Sequence, residues 1–446
     1  MITGNYLTGS ERVQRLQTIL HEKAKEEPKR RFHALIDKVY RMDFLWEAWR
    51  MVRRNGGSPG VDGETIADIE ARGVMVWLRE LSRDLQEGTY QPQAVRQVLI
   101  PKKTPGKFRP LGIPCIRDRV AQTAAMFVLA PIFEADLQPE QYGYRPGRSA
   151  LDAVNRIHGL LNRGYNEVVD ADLSNYFGEI PHTELMKSIA RRVSDGHMLA
   201  LIKSWLIMPV VEEDDKGGQR RTNRARKERK GTPQGSPISP LLSNLYMRRF
   251  ILGWKLLGYA ERFGAQIVCY ADDFCILGHA AAEDMKMVAQ HLMDKLKLQL
   301  NSQKTRCLRC PEEPFEFLGY RIGWNYRPNG RGRYIGTRPS QSSVQSICRT
   351  ISEQTSKKYG TLDATEVIQR LNWVLSGWSN YFKCGQVSPA YQAVDMHTIK
   401  RLRQWFCRKY KVQTGKYVHF SDAYLWETYG LHRLVVTTKD LPWAKS

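Results

Sequence analysis

The chain has 446 residues, 42% hydrophobic and 26% charged, with 68 Lys and Arg against 46 Asp and Glu for a net charge of +22. That length exceeds one small core and implies roughly two to four domains, and the composition excludes a disordered chain. The cationic excess is far beyond what solubility needs, so a polyanionic partner is expected, because each phosphate neutralised releases condensed counterions. No stretch approaches the ~18 apolar residues that would span a bilayer, and the opening MITGNYLTGSERVQ lacks the apolar run of a secretory leader. The eight scattered cysteines are expected as free thiols in a reducing cytoplasm. Cys307 and Cys310 form a C-x-x-C pair, but no second pair follows at zinc-module spacing.

In chain order, Thr8 and Glu11 make a capping box ahead of Val13, Leu16, Ile19 and Leu20. Asp43 is placed to cap a second helix carrying Trp46, Trp49 and Met51, which ends at the turn Gly56-Gly57-Ser58-Pro59-Gly60. A third helix is expected around Val74 to Leu85, then a strand from Val95 to Ile100. A basic hairpin follows, with its turn at Pro105-Gly106 and Lys102, Lys103, Lys107 and Arg109 on its arms. Helical pattern returns from Arg117 to Glu134, and QYGYRPGRSA reads as a loop. YNEVVDADL, residues 165–173, is a buried strand, whereas residues 216–230, KGGQRRTNRARKERK, read as a solvated loop ordered only against phosphate. GTPQGSPISP then opens a helix through Leu241, Leu245 and Met247. QIVCYADDFCILG is two short strands about a charged tip, followed by a helix (Met285 to Leu298) and a strand (Phe315 to Ile322). Composition shifts near Arg338-Pro339 to a basic, helical region in which Val367, Leu371, Leu375, Trp378 and Phe382 share one face.

Three carboxylates sit where apolar strands end. Asp172 follows Val168-Val169, and Asp272-Asp273 lie between Ile267-Val268 and Phe274-Ile276. Like charges in a partly apolar site repel, and a divalent cation removes that penalty. Carboxylate oxygens suit Mg²⁺, which takes its remaining ligands from water and substrate phosphates. A tight turn at Tyr270-Ala271-Asp272-Asp273 breaks strand alternation, so both acids can approach one site, and Asp172 on an adjacent strand would complete a pair of metal sites. Asp170, one pleat away, is assigned a structural role.

The ordered blocks VVDADLSNYFGEIPH, GTPQGSPISPLLSNLYM, CYADDFCILG, LQLNSQKT and FEFLGY resemble the palm of reverse transcriptases. With RRNGGSPGVDG, IPKKTPGKFRPLGIPCIRDR, QYGYRPGRS and LNWVLSGWSNYF, nearly the whole chain resembles bacterial group II intron-encoded reverse transcriptase/maturases that lack an endonuclease domain. The resemblance implies an α+β fold of right-hand polymerase architecture, with fingers, a palm bearing a small antiparallel sheet, and a helical thumb called domain X. The expected boundaries are an N-terminal helical extension over 1–66, fingers and palm over 67–338, the thumb over 339–412 and a short tail over 413–446.

By the same resemblance Asp172 and Asp272 hold two Mg²⁺ ions, for which Mn²⁺ is a substitute, with Asp273 as companion acid. Phe177 is the steric gate that favours deoxynucleotides. Lys102, with Lys103 as the alternative, and Arg109 grip the triphosphate, while Gln234 and Gly235 lie beside the sugar and base. Lys304 protonates the pyrophosphate, a role that an ordinary helix-end lysine would mimic. Phe317, Leu318, Gly319 and Tyr320 form the primer grip. Arg145 and Arg148 either touch nucleic-acid backbone or brace the fingers. Arg224, Arg226, Arg401, Arg403 and Arg408 are further RNA-binding candidates, and Trp373, Trp378 and Phe382 are expected to pack helices together. One departure is Gly178, where the family usually has Asp, with Glu179 following.

The implied activity is RNA-directed DNA synthesis from deoxynucleoside triphosphates on an RNA template and a DNA primer, with binding of group II intron RNA to assist splicing and mobility. The expected location is the cytoplasm, at the nucleoid while on target DNA, with no membrane partner and an oligomeric state left open. A domesticated polymerase for repair or antiphage defence keeps the same chemistry. An RNA-folding cofactor with a vestigial palm is disfavoured by the clustered acids, since such a palm gains stability by losing them.

Overall fold

In the computed structural model, residues 10–101, 106, 108–213, 218–326 and 332–438 are described. The eleven strands are β1 (Val95–Pro101), β2 (Phe108–Ile113), β3 (Glu167–Asp172), β4 (Val210–Glu213), β5 (Gln219–Thr222), β6 (Gln266–Tyr270), β7 (Asp273–Gly278), β8 (Arg306–Arg309), β9 (Phe315–Phe317), β10 (Tyr320–Tyr326) and β11 (Arg333–Pro339). They form three small sheets, ordered β2-β1-β4-β5, β6-β7-β3-β8 and β11-β10-β9. Helices cover much of the remainder, so the class is α+β. The chain divides into two compact units, one of Met1–Ser149, Ala171–Ile276 and Asp284–Thr305, the other of Ala150–Asp170, Leu277–Glu283 and Arg306–Ser446.

The first unit is built on the helix Ile116–Glu134, which is apolar all round and accordingly buried along most of its length. Pro131 inside it supplies no N–H to the carbonyl of Phe127 one turn back. Gln17 Nε2, from the helix Glu11–Glu26, donates to that carbonyl at 3.0 Å, and His21 Nδ1 bonds the carbonyl of Pro131 at 3.0 Å. The first helix is not entered through the expected capping box: Ser10 is its N-cap, and Thr8 lies outside the described residues. Asp43 is likewise not an N-cap but sits in the first turn of Met42–Asn55, where Arg41 Nη2 bonds it at 2.6 Å.

β1 and β2 form the antiparallel hairpin expected from the sequence, although Lys102, Lys103 and Lys107 lie outside the described residues. The basic stretch expected as a loop is instead ordered over most of its described length. β5 pairs antiparallel with β4, setting Arg220 opposite Glu212, and β4 pairs in parallel with β1. Opposite charges across the ladder and free edge positions on β1 gave this segment a sheet to join, which its apolar-poor composition did not announce.

Beneath the hairpin runs a buried chain of polar groups. Trp205 Nε1–H donates to the Tyr90 hydroxyl at 3.1 Å, and Tyr90 O–H donates to Asp118 Oδ1 at 2.5 Å. The backbone N–H of Gln93, just before β1, donates to Asp118 Oδ2 at 3.1 Å.

In the second unit β10 is central, with β9 and β11 antiparallel on either side. The strand expected over Phe315 to Ile322 is two strands folded back on each other, because Leu318 and Gly319 both take positive φ, +49° and +81°. Helices Gln341–Gln354, Ala364–Tyr381 and Ser388–Lys409 share a core with Phe420, Leu425, Leu431 and Leu434. The stretch expected as a tail therefore packs into this core, and Asp395 fastens it by accepting from the N–H groups of Leu434 and Val435, both at 3.0 Å. Trp378 and Phe382 pack as expected, with centroids 4.9 Å apart, but Trp373 is 68% exposed. All eight cysteines are free, and among the described residues no helix is long and apolar enough to cross a membrane.

Burial pushes the Asp118 carboxyl up to about 6, against the opposing pull of its Tyr90 and Gln93 hydrogen bonds and of Arg117. A carboxyl whose pKa rises on folding stabilises the native state below its unfolded value, and loses that contribution as pH climbs through the folded one. Denaturant midpoints of Asp118→Asn and the parent, compared from pH 4 to 8, should therefore diverge in the variant's favour through about pH 6. The gap should reach at most ~3 kcal/mol. A pH-independent difference would refute this account of Asp118.

Candidate active site

β7 and β3 are neighbours, which brings the turn at the start of β7 beside the end of β3. Asp273 opens β7 after a two-residue turn at Ala271-Asp272, with Ala271 at φ +59° in the left-handed region that few side chains accept. The loop 139–148 straps this turn in place. Tyr142 N–H donates to the Cys269 carbonyl at 2.8 Å, and Cys269 N–H to that of Glu140 at 2.9 Å. Asn244 Nδ2 donates to the Gly143 carbonyl at 2.7 Å, while Gln141 Nε2 donates to the Asn244 carbonyl at 2.8 Å. A β-carbon on Gly143 would lie 2.6 Å from Ala271 N, so this contact needs glycine for space.

The acids have cationic neighbours. Lys304 Nζ bonds Asp172 Oδ2 at 2.8 Å, and Asn301 reaches the same oxygen at 3.3 Å while its N–H bonds the Asp172 carbonyl at 2.8 Å. Burial and the nearby Asp172 charge push the Asp272 carboxyl above its usual range, opposed by its own backbone N–H, Arg109 and Lys304. Arg109 Nε donates to Gln234 Oε1 at 2.9 Å. Arg109, Gln234, Asp172, Asp272 and Lys304 thus belong to one site in the first unit. Tyr144, which the sequence reading passed over, joins them: burial and Asp272 raise its phenol, Arg109 lowers it, and its ring lies 6.5 Å from that of Tyr270. Its φ of +56° was the structural signal, invisible in sequence.

Other expected residues serve the protein itself. Gly235, at φ +112°, faces β2, where an added β-carbon would lie 2.3 Å from the Gly112 carbonyl oxygen. The close approach it permits is to β2. Phe177 is 5% exposed, edge-on to Tyr176 at 5.6 Å, and its carbonyl accepts from Thr232 N–H at 2.7 Å. At Gly178, the unusual position, a β-carbon would come 2.4 Å from the Asn175 amide, and Glu179 is paired with Lys230 at 2.8 Å. Glu179 therefore does not bring a loose charge to the site.

The arginine candidates separate into bracing and exposed groups. Arg145 is buried in an ion pair with Glu134 at 2.5 Å and bonds the carbonyls of Gln138 and Gln141, so it braces its loop and has no face left for RNA. Arg148 bonds the Pro139 carbonyl at 2.6 Å and lies over the Tyr142 ring. Arg403 is 7% exposed and bonds the Phe420 carbonyl and Asp422, which withdraws it from RNA as well. Arg401 and Arg408 bond the carbonyls of Ser352 and Thr355, whereas Arg224 and Arg226 are exposed. The four expected primer-grip residues lie in the second unit: Phe317 and Tyr320 are buried, and Leu318 and Gly319 form the turn between β9 and β10.

The donor set at the acids is carboxylate oxygen, which suits a hard divalent cation. Among the described residues no three His, Cys, Asp or Glu side chains form a ready-made metal cage. A hollow of about 770 Å³ opens nearby in the same unit, lined among others by Leu111, Gly112, Arg119, Tyr144 and Gly235.

Residues 100–322 match the family described as reverse transcriptase (RNA-dependent DNA polymerase), and residues 344–424 match the maturase-specific domain of group II introns. The chain is 31% identical over 369 residues to protein YkfC of Escherichia coli (strain K12), covering 74% of this chain and 93% of that protein. It is 28% identical over 353 residues to the group II intron-encoded protein LtrA of Lactococcus lactis, covering 65% of this chain and 57% of LtrA. A 114-residue stretch is 32% identical to the mitochondrial nuclear intron maturase 2 of Arabidopsis thaliana, covering 26% of this chain and 15% of that one.

Gly143→Ala tests the strap. Its φ lies outside the left-handed region, so it is the contact with the Tyr270–Ala271 backbone that opposes the added methyl. A shift of the turn by about 1 Å should lower turnover roughly a hundredfold while the protein stays folded. Unimpaired turnover in a folded variant would show that the turn does not depend on this seat.

Proposed function

Since this chain belongs to the reverse transcriptase family and carries the maturase-specific domain of group II introns, we propose that it copies RNA into DNA at Asp172 and Asp272. The observation that carries this reading is the meeting of Asp172, at the end of β3, with Asp272, in the turn that leads into the neighbouring strand β7, within the fields of Arg109 and Lys304. The family uses divalent metal ions, and here two Mg²⁺ ions, or Mn²⁺ in their place, would be held by Asp172 and Asp272, with Asp273 as companion. Bound there, they would activate the primer 3′-hydroxyl and neutralise the departing pyrophosphate.

The chain's own residues do the rest. Arg109 Nε now bonds Gln234, and its planar fork suits the oxygens of an incoming triphosphate. The 3′-oxygen attacks the α-phosphorus, the bond to the bridging oxygen of the β-phosphate breaks, and pyrophosphate leaves. Lys304 Nζ supplies a proton to that leaving group, for which its pairing with Asp172 keeps it charged, since that contact raises its pKa. Phe177 forms the wall against a ribose 2′-hydroxyl, and the hollow beside Leu111 and Tyr144 takes the base pair being formed. Lys102, outside the described residues, is the second cation proposed for the triphosphate. Residues 317–320 seat the primer end.

The polymer substrates are an RNA template and a DNA primer, and the maturase-specific match over residues 344–424 supports binding of group II intron RNA in splicing and mobility. We divide the chain as a helical extension (1–66), fingers and palm (67–338), thumb (339–412) and C-terminal segment (413–446). Its place is the cytoplasm, at the nucleoid while it is engaged on DNA, because both nucleic acids are there.

Asp272→Ala should lower Mg²⁺-dependent primer extension on RNA by several orders of magnitude, the scale of losing a main electrostatic contribution. Extension within tenfold of the parent would remove Asp272 from the chemistry.

Phe177→Ala should raise incorporation of ribonucleotides relative to deoxynucleotides. That ratio is independent of how much enzyme is active, which matters because truncating a buried Phe costs about 3–5 kcal/mol. An unchanged ratio would leave Phe177 as a core residue alone.

A further inference from the structure

We propose that a hollow beside β10, walled by Arg321 and Arg338, is a binding site for a backbone phosphate of nucleic acid. It lies wholly in the second unit and measures about 310 Å³. Its lining includes Pro311, Glu312, Pro314, Arg321, Arg338 and Gln386.

Arg321 and Arg338 are register partners, directly opposite each other on β10 and β11. Like charges in that position repel and weaken the ladder. Glu316 faces Arg321 from β9, where its carboxylate accepts from the Ser342 hydroxyl at 3.2 Å. Among the described residues no acid lies within ion-pair distance of Arg321 or Arg338, and neither guanidinium donates a hydrogen bond to the protein. Glu312 lines the same hollow without reaching either guanidinium.

The donors do not end with the arginines. Asn325, four residues along β10 from Arg321 and so on the same face, also lines the hollow and carries a buried side-chain N–H group without an acceptor. Buried donors left unmet cost about 1–3 kcal/mol each. Gln386 is held nearby because its N–H donates to the Thr337 carbonyl at 2.8 Å. Gly385 allows that seat, since a β-carbon there would lie 2.1 Å from the Thr337 oxygen. A set of donors around two unpaired guanidinium groups asks for an acceptor-only anion, and phosphate matches the guanidinium fork.

The surroundings favour a polymer over free phosphate. Tyr326, at the end of β10, lines the same hollow and is 70% exposed. Aromatic and cationic groups interleaved beside a phosphate seat are what a nucleic-acid strand engages, by stacking and by charge together.

The test uses the full-length protein and an RNA–DNA primer–template duplex, with binding measured across salt. Arg321→Gln and Arg338→Gln should each flatten the slope of log K against log[salt] by about 0.7–0.9, and the double variant by about twice that. The KM for primer–template should rise in step, while kcat at saturating duplex stays within twofold, which separates this site from the chemistry at Asp172 and Asp272. Relief of the like-charge pair should leave the variants' melting temperatures equal to or above the parent's. A double variant with an unchanged slope and affinity overturns the proposal. So does a parent stabilised by millimolar inorganic phosphate through these arginines with no effect of the double variant on duplex binding, because the seat would then belong to a free anion.

Discussion

Two carboxylates of like charge, one ending β3 and one in the turn that leads into the neighbouring strand β7, are the constraint from which the first unit follows. Burial and the field of Asp172 both act against ionisation of Asp272, and Arg109 and Lys304 act for it. Because a sheet fixes neighbouring strands about 4.8 Å apart, the acids cannot relax by drifting away from each other. Relief has to come from what is placed around them. Lys304 and Asn301 arrive on the segment after the helix Ala282–Lys295, and Arg109 on β2, so two separate stretches of chain converge on this charge problem.

Convergence of that kind requires backbones to touch. Gly112 and Gly235 let β2 lie against the segment bearing Gln234, and Gly112 N–H bonds the Gln234 carbonyl at 2.6 Å. Gly143 lets the 139–148 loop rest on Ala271. Gly178 and Gly231 form a third such contact, with a β-carbon on Gly231 falling 3.2 Å from the Gly178 carbonyl oxygen. This explains the one departure from the family pattern in terms of local packing. Space at position 178 is already taken by the Asn175 side chain, which itself holds φ +47°.

What could be read from the sequence was whatever depends on chemistry at short range. Apolar strands ending in acids, a tight turn at Ala271-Asp272 and the periodic helix over Ala364–Tyr381 are all local statements, and the elements appear where the pattern put them. What could not be read depends on partners far along the chain. Arg145 stayed open between RNA contact and brace because its partner Glu134 and its carbonyl acceptors are brought round only by the folded loop. The 216–230 stretch looked solvated because its pairing partner, β4, was itself too short to declare a sheet. FEFLGY looked like one strand because nothing in Leu318 announces a positive φ. Tyr144 was missed for the same reason: an aromatic residue in a loop is ordinary until its backbone is seen to turn it toward an acid.

The acid pair of the first unit and the arginine pair of the second are the same argument with opposite signs. In one a turn beside a strand end, in the other a ladder, holds two like charges at a separation that folding alone would avoid. Where the charges serve only the fold, this chain supplies a counter-ion of its own, as Arg192 does for Asp136 and Arg309 for Glu167. The acids are only partly answered in that way, by Lys304 on Asp172, and Asp272 keeps an elevated pKa. Glu316 faces Arg321 from β9 without coming within ion-pair reach, and no acid among the described residues is within that reach of Arg338. An unanswered charge lowers stability in the free protein, so its retention is best understood as attraction reserved for a ligand: cations at the acids, and a polyanion at the arginines.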